Sequence, residues 1–383
     1  MRPSPELLVL AAGRLPQGRF GGSLAQRGAA SLGVDAVSAL MRPLLPRLPM
    51  PPRRLIWGMA RSHGQGMNPA RTIALKALQD QGTHVYAHTV NMACGAGLQA
   101  VILAAQALTM GEDAPTIAGG SECMSNNPFL LPDLRWGYRF GHHSVPDVMH
   151  HDGLRCPVTG LLMGQIIERM AGKLDISREA MDAYALESHR RAAAADFRDE
   201  HLAHPALDRD ECIRPANTLE ALANLKPVFE KQGTITAGNA SAISDGAAAL
   251  LLARPEQAGD LPALARIRAW TEVALDPLEM GETPIPAVRA LLQETGLKPS
   301  DIALWELNEA FAVQVLFCAR ELGIPMDRLN VAGGAISLGH PIGATGARIL
   351  VTLIHQLRHR GGGLGIATLG IGGGLGQAML VEV

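Results

Sequence analysis

The sequence predicts an α/β fold on three observations. Short β-type runs, Leu7-Leu8-Val9-Leu10 and Thr116-Ile117-Ala118, alternate with Ala- and Leu-rich stretches of helical length, Leu98 to Leu108 and Gly346 to Leu357. The 42 glycines are spread over 383 residues while aromatic residues make up only 4%, a profile of many tight strand-to-helix turns. With 47% hydrophobic and 18% charged residues, the chain has the material for one large core or two ordinary ones. Alternation of this kind implies stacked βαβ units.

The elements follow in order. Leu7 to Ala12 opens the first unit as a strand and is too short for a signal-peptide core, and no stretch has the length of a membrane span. The region from about 125 to 243 breaks the alternation: it is rich in His, Pro, Asp and Arg and holds one clear helix, starting at Ser177 with Glu179 behind it. It reads as an inserted loop domain. Beyond it the alternation resumes, and two segments ending in Ala-Gly-Gly, Ile117 to Gly120 and Val331 to Gly334, hint at an internal duplication.

Charge excludes some functions. A net charge of -2 lacks the basic footprint that nucleic acid or an anionic membrane requires, so neither is expected as a partner. The five cysteines, Cys94, Cys123, Cys156, Cys212 and Cys318, are odd in number, widely spaced and without a C-x-x-C pair. A reducing cytoplasm and no metal are the expectations. The adjacent histidines 142 and 143, and 150 and 151, lack a settled ligand geometry and are assigned to the solvent-facing loop domain.

Two segments carry chemistry. Asn91-Met92-Ala93-Cys94-Gly95-Ala96-Gly97 delivers a cysteine to the start of the apolar helix at Leu98. Free amides and the positive end of the helix dipole there favour a thiolate, and the glycines let a substrate carbonyl approach the backbone. A buried structural thiol is the alternative. In Asn330-Val331-Ala332-Gly333-Gly334-Ala335-Ile336-Ser337-Leu338-Gly339-His340-Pro341-Ile342-Gly343 a histidine is enclosed by glycines, which lets imidazole face a ligand, accept a thiol proton or donate to an oxyanion. A turn-stabilising loop histidine is its alternative.

Together with Asn308-Glu309-Ala310-Phe311-Ala312, Gly64 to Arg71, Gly233 to Ser241 and Asp245-Gly246-Ala247-Ala248, these segments resemble the thiolase family over nearly the whole chain. The resemblance implies two βαβαβαββ halves in a five-layered α-β-α-β-α sandwich. Residues 1–124 and 244–264 would form the first half, 125–243 the substrate-covering loop domain, and 265–383 the second half. It implies acyl transfer between coenzyme A thioesters, by thiolysis of a 3-ketoacyl-CoA or the reverse Claisen condensation. Coenzyme A would be substrate or product with no permanently bound cofactor, in a homodimer or homotetramer.

It also implies roles. Cys94 would attack the acyl-CoA. His340 would activate it and share one oxyanion hole with a water held by Asn308, while Glu309 is structural. Backbone amides of Cys94 and Gly372 would form a second oxyanion hole. Ser241 would meet the pantetheine and Arg214 the adenine end, though a turn cap and a surface charge are the plainer readings. Met163 and Met280 match acyl-pocket methionines, or fill the core; Leu162 stands where the family has a histidine.

The resemblance fails at one functional position. Thiolases carry a Cys-x-Gly-Gly-Gly-x-Gly segment whose cysteine is a second acid/base, and this chain reads Gly370-Ile371-Gly372-Gly373-Gly374-Leu375-Gly376. Three explanations stand: another group such as His340, water or Cys123 moves the proton; Gly370 is an introduced change that traps the acyl-enzyme; or the chain is a weakly catalytic coenzyme A-binding subunit. Lesser departures are Gly13-Arg14 for the usual Arg-Thr, and Ala242 and Thr283 for glycines.

Overall fold

The computed structural model describes residues 6–383. The first five residues of the expected 1–124 segment lie outside it. Strands β1 (Leu7–Arg14) and β2 (Gly18–Arg19), helix α1 (Ala29–Met41), β3 (Arg54–Gly58), α2 (Pro69–Leu78), β4 (Tyr86–Val90), α3 (Ala96–Thr109) and β5 (Thr116–Cys123) come first. Helices α4 (Met163–Ala171), α5 (Arg178–Ala194) and α6 (Leu219–Ala223) lie in the irregular region, and Ser177 caps α5 by accepting from the Ala180 N–H at 3.2 Å. Then follow β6 (Ser244–Ala253), α7 (Pro255–Ala258), β7 (Ala265–Ala274), α8 (Pro284–Thr295), β8 (Leu304–Leu307), α9 (Ala312–Leu322), α10 (Ala335–Leu338), α11 (Ile342–His359), β9 (Leu364–Ile371) and β10 (Leu375–Glu382).

The strands run in the order β4-β3-β5-β6-β1-β7-β10-β9-β8, with β2 paired to β6. Within each half, counted from its own first strand, the order is the same, and the halves join where β1 and β7 pair at Leu7–Ile267, Leu8–Arg266 and Val9–Ala265. The second half lacks a regular third strand; in its place Leu329 makes a single parallel bridge to Trp305 on β8, as β4 lies parallel to β3. The duplication is therefore present, but it pairs other segments than expected. Val331 to Gly334 precedes the central helix of the second half and so corresponds to the nucleophile turn after β4, whereas Ile117 to Gly120 sits in β5, whose counterpart is β9.

Period-two side-chain alternation builds the layers. On β6, Ala247, Ala249 and Leu251 pack with α1 and α2, while Ala248, Leu250 and Leu252 pack with α3 and α11. On β10, Met379 and Val381 face the same central helices, while Ala378 and Leu380 face α8 and α9. The result is α1/α2, sheet, α3/α11, sheet, α8/α9. Because both faces are covered, β6 is buried along its whole length and reads as a continuous small-apolar run. The central helices touch closely at glycines: a Cβ on Gly97 would stand 2.8 Å from the Ala347 nitrogen, and one on Gly346 would overlap Leu98. Among the described residues no helix is long and apolar enough to cross a membrane.

Arg14, one of the departures, is wholly buried at the end of β1. It is held by Glu200 at 2.5 Å and by Asp210 at 2.7 and 3.0 Å, tying the sheet to the irregular region.

Candidate active site

The two central helices begin side by side, and each is preceded by one reactive side chain. Cys94 sits half-buried in a short 3₁₀ turn, Ala93–Gly95, directly before α3. Ala93 takes a positive φ of 46°, a strained value for a residue with a Cβ, and Asn91 secures the turn: its side chain accepts the Ala93 N–H at 2.9 Å and donates to the Ala60 carbonyl at 3.0 Å.

The expected thiolate is not what this environment favours. Burial pushes the Cys94 thiol up, outweighing the pull of the Gly372 N–H, the Arg61 guanidinium and its own N–H. The resting sulfur is protonated and needs a base. The N–H groups of Gly372 and Cys94 both act on the sulfur, each lowering its proton affinity.

His340 is the candidate base. It is buried, and its N–H donates to the Ala242 carbonyl at 2.9 Å. Its Nδ1 lies 2.7 Å from the Thr345 hydroxyl, whose own proton goes to the Pro341 carbonyl at 3.0 Å. The hydroxyl oxygen must therefore accept from Nδ1–H, which leaves the Nε2 lone pair free. Desolvation, then the nearby positive charges of Arg348 and Arg61, depress the imidazole to about 3. It is neutral at physiological pH.

Asn308 follows β8, and its N–H donates to Thr368 on β9 at 3.0 Å. Both atoms of its side-chain amide are buried and meet no partner among the described residues, a state that costs energy unless a ligand or water is to be held. Glu309 beside it is saturated: Tyr184 and Ser188 donate to it at 2.7 and 2.8 Å, Asn330 and the Ile336 N–H at 3.1 Å each. It clamps α5 to the turn before α11.

Gly370 lies on β9 opposite Gly376 on β10. A Cβ there would stand 2.6 Å from Gln314 Nε2, 2.6 Å from the Met280 carbonyl and 3.1 Å from the Thr283 hydroxyl. The space is closed by Gln314 and Thr283. Cys123 cannot serve in its stead, since burial and then Asp245 push its thiol far up, and its sulfur faces the Leu24 carbonyl in the outer α1/α2 layer.

A cavity of about 580 Å³ is lined by His340, Met163, Ser241, Arg214, Phe311 and His150 among others; Cys94, Asn308 and Gly370 are not in its lining. Gly372 borders it through Met163, whose sulfur would be 3.2 Å from a Cβ at 372. Met280 does not line it; that side chain is packed in the core beneath α8 and α9. The correction among the histidines concerns His150, half-buried in the cavity wall rather than facing solvent, while His143 stacks on Tyr138 at 3.7 Å. Among the described residues no group of three or more His, Cys, Asp or Glu could hold a metal ion.

Two further residues escaped sequence reading. Glu122, at the end of β5, accepts the N–H groups of Ala60 and Gly343 at 3.1 Å each, so one carboxylate joins the strand end beside the Cys94 turn to the first turn of α11. Burial raises it to about 7. Arg61 is buried with Nη1 3.9 Å from Glu122. Neither lies in a segment with a readable pattern of its own.

Comparison with known proteins agrees with this geometry. The family profile for the thiolase N-terminal domain matches residues 7–256 and that for the thiolase C-terminal domain residues 261–383. The chain is 44% identical to an acetyl-CoA acetyltransferase of Chromobacterium violaceum, covering 98% of this chain and 99% of that protein. An Escherichia coli acetyl-CoA acetyltransferase is 43% identical, with 98% of each covered. Among solved structures, Acat5 thiolase from Ascaris suum in complex with coenzyme A superposes with a TM-score of 0.92 at 36% identity, covering 98% of this chain and 99% of that one. Human mitochondrial 3-ketoacyl-CoA thiolase in complex with CoA gives 0.93 at 35% identity, covering 99% and 98%.

Proposed function

Because the chain belongs to the thiolase family, we propose that it transfers acyl groups between coenzyme A thioesters through an acyl-enzyme on Cys94. The observation that carries the reading is the placement of Cys94 directly before α3 and of His340 directly before α11, two helices in close contact at Gly97 and Gly346, with the imidazole held by Thr345 so that Nε2 is free. Relatives named acetyl-CoA acetyltransferases, and two similar structures bound to coenzyme A, support the substrate class.

His340 Nε2 takes the Cys94 proton while the sulfur attacks the thioester carbonyl. The N–H groups of Cys94 and Gly372 hold the oxyanion, and the sulfur of coenzyme A leaves with the proton that His340 returns. Asn308 presents its unpaired amide to the water or carbonyl oxygen of the second half-reaction. Ser241 and Arg214, both on the cavity wall, would take the pantetheine and adenine ends, and Met163 the acyl chain. Residues 125–243 would cover the channel, in a cytoplasmic homodimer or homotetramer.

Gly370 replaces the second acid/base cysteine in this reading. Without a group to move the α-proton, the carbon–carbon step runs slower than acylation by roughly 10² to 10⁴. The test is intact mass after exposure to acetyl-CoA, alongside acetoacetyl-CoA thiolysis. Acylation that disappears in Cys94→Ala supports the reading, and absence of an adduct with every acyl-CoA tried would sink it. Since Gln314 is the nearest side chain to a Cβ at position 370, thiolysis is expected to rise in a Gly370→Cys/Gln314→Ala double variant more than in Gly370→Cys alone.

A further inference from the structure

Arg61 is a buried cation that the acyl-transfer steps do not use. It is 2% exposed, and Nε, Nη1 and Nη2 meet no hydrogen-bond partner among the described residues. Its nearest carboxylate oxygen, Glu122 Oε2, stands 3.9 Å away in a buried ion pair and already accepts the Ala60 and Gly343 N–H groups, while Glu122 Oε1 meets no hydrogen-bond partner among the described residues. A guanidinium offers five donors in a planar fork, and burying it without acceptors costs several kcal/mol. Native structures rarely leave such groups unpaired, and a water, an ion or a ligand is the usual complement.

Its surroundings say where. On one side, Arg61 follows Ala60, whose carbonyl is held by Asn91, the residue that secures the Cys94 turn. On the other, a Cβ at Gly153 would overlap the guanidinium, and Gly153 belongs to the turn His150–Leu154, whose two end residues line the cavity. The cation thus lies between the nucleophile turn and the turn His150–Leu154, behind Gly153 and one layer from the cavity lining. It is near enough to Cys94 and to His340 to lower the proton affinity of both. Glu122, raised to about 7, is only partly ionised near neutrality and leaves that charge incompletely balanced.

Building on the Cys94 acyl-enzyme, we propose that Arg61 is a specificity residue that receives a carboxylate at the far end of the acyl chain, so that the preferred donors are monothioesters of dicarboxylic acids. A planar fork and a carboxylate match in two parallel hydrogen bonds. An uncharged chain of equal length would leave the fork unpaired, and sites built around a buried polar group discriminate strongly against a ligand that lacks its complement.

The test compares glutaryl-CoA with its terminal methyl ester on the full chain, reading the rate of Cys94 acylation by intact mass. The unmodified protein is expected to favour the acid by at least about tenfold. That ratio should fall below one in Arg61→Leu and lie between the two in Arg61→Lys. An acid-to-ester ratio at or below one in the unmodified protein overturns the proposal, as does a ratio unchanged in a folded Arg61→Leu. Should Arg61→Leu not fold, by circular dichroism, the ratios of the unmodified protein and Arg61→Lys decide. Acylation by acetyl-CoA without any preference for the acid would defeat the proposal and leave the Cys94 reading standing; no adduct from any donor would defeat both.

Discussion

The starts of α3 and α11 occupy equivalent places in the two halves, yet they prepare their side chains in opposite ways. Before α3, a strained Ala93 and the Asn91 clamp raise a sulfur whose burial keeps it protonated. Before α11, a relaxed hydrogen-bond chain from Nδ1 through Thr345 to Pro341 fixes an imidazole whose burial keeps it unprotonated. One desolvation effect, acting on an acid and on a base, yields two neutral groups. The difference teaches that neither helix dipole nor local motif sets the charge state here; the buried layer does. Proton transfer between them then starts without an ion pair to break.

The comparison breaks most severely at the sulfur. Cys94→Ala is expected to abolish the acyl-enzyme entirely, and mass spectrometry reads this directly. Removing the partner, His340→Ala, should slow acylation by about 10² to 10⁴ while leaving the nucleophile in place. If the two variants were equally dead after correcting for folding, His340 would be acting in the structure rather than as the base.

Subtler changes sharpen it. Thr345→Val removes the acceptor that fixes the tautomer, so acylation should drop by about tenfold and recover in Thr345→Ser. The protonation of the thiol is open to alkylation with iodoacetamide: the rate at Cys94 should rise with a midpoint above that of a free thiol, and a midpoint below it would restore the thiolate expectation.

The smallest effect is on stability. His340 falls to about 3 in the folded chain from 6.5 unfolded, so the unfolded state binds its proton first on acidification. Its contribution is intact above about pH 6.5 and is lost as pH falls toward 3. Glu122 has the opposite sign, being raised to about 7, and weakens the fold as pH rises from 4.5 through 7. Urea midpoints of His340→Gln should consequently fall less than those of the unmodified chain between pH 6.5 and 4.

Much of this was legible beforehand. The α/β alternation, the cap at Ser177 and the central helices are local patterns, and α3 and α11 extend the runs read from Leu98 and Gly346 by only a few residues at either end. The resemblance named Cys94, His340 and Asn308 because each sits in a distinctive string. Arg61, Glu122 and His150 were not legible, since each owes its place to residues distant in the chain. The partner of Glu122 at Gly343 lies 221 positions away. Arg14 shows the same limit: it read as a departure that tunes packing, whereas it is a buried charge held by Glu200 and by Asp210, the latter 196 positions along.

The amino-acid sequence by itself determined the strand–helix alternation and the candidate reactive atoms, because a period of side chains and a glycine-flanked cysteine or histidine are properties of neighbouring residues. Only the tertiary structure decided which of those atoms carry charge, which arginine is paired and which is left open, and that the space beside Gly370 is already filled. Charge and packing depend on what is brought from far along the chain to exclude water, and that is a property of the fold.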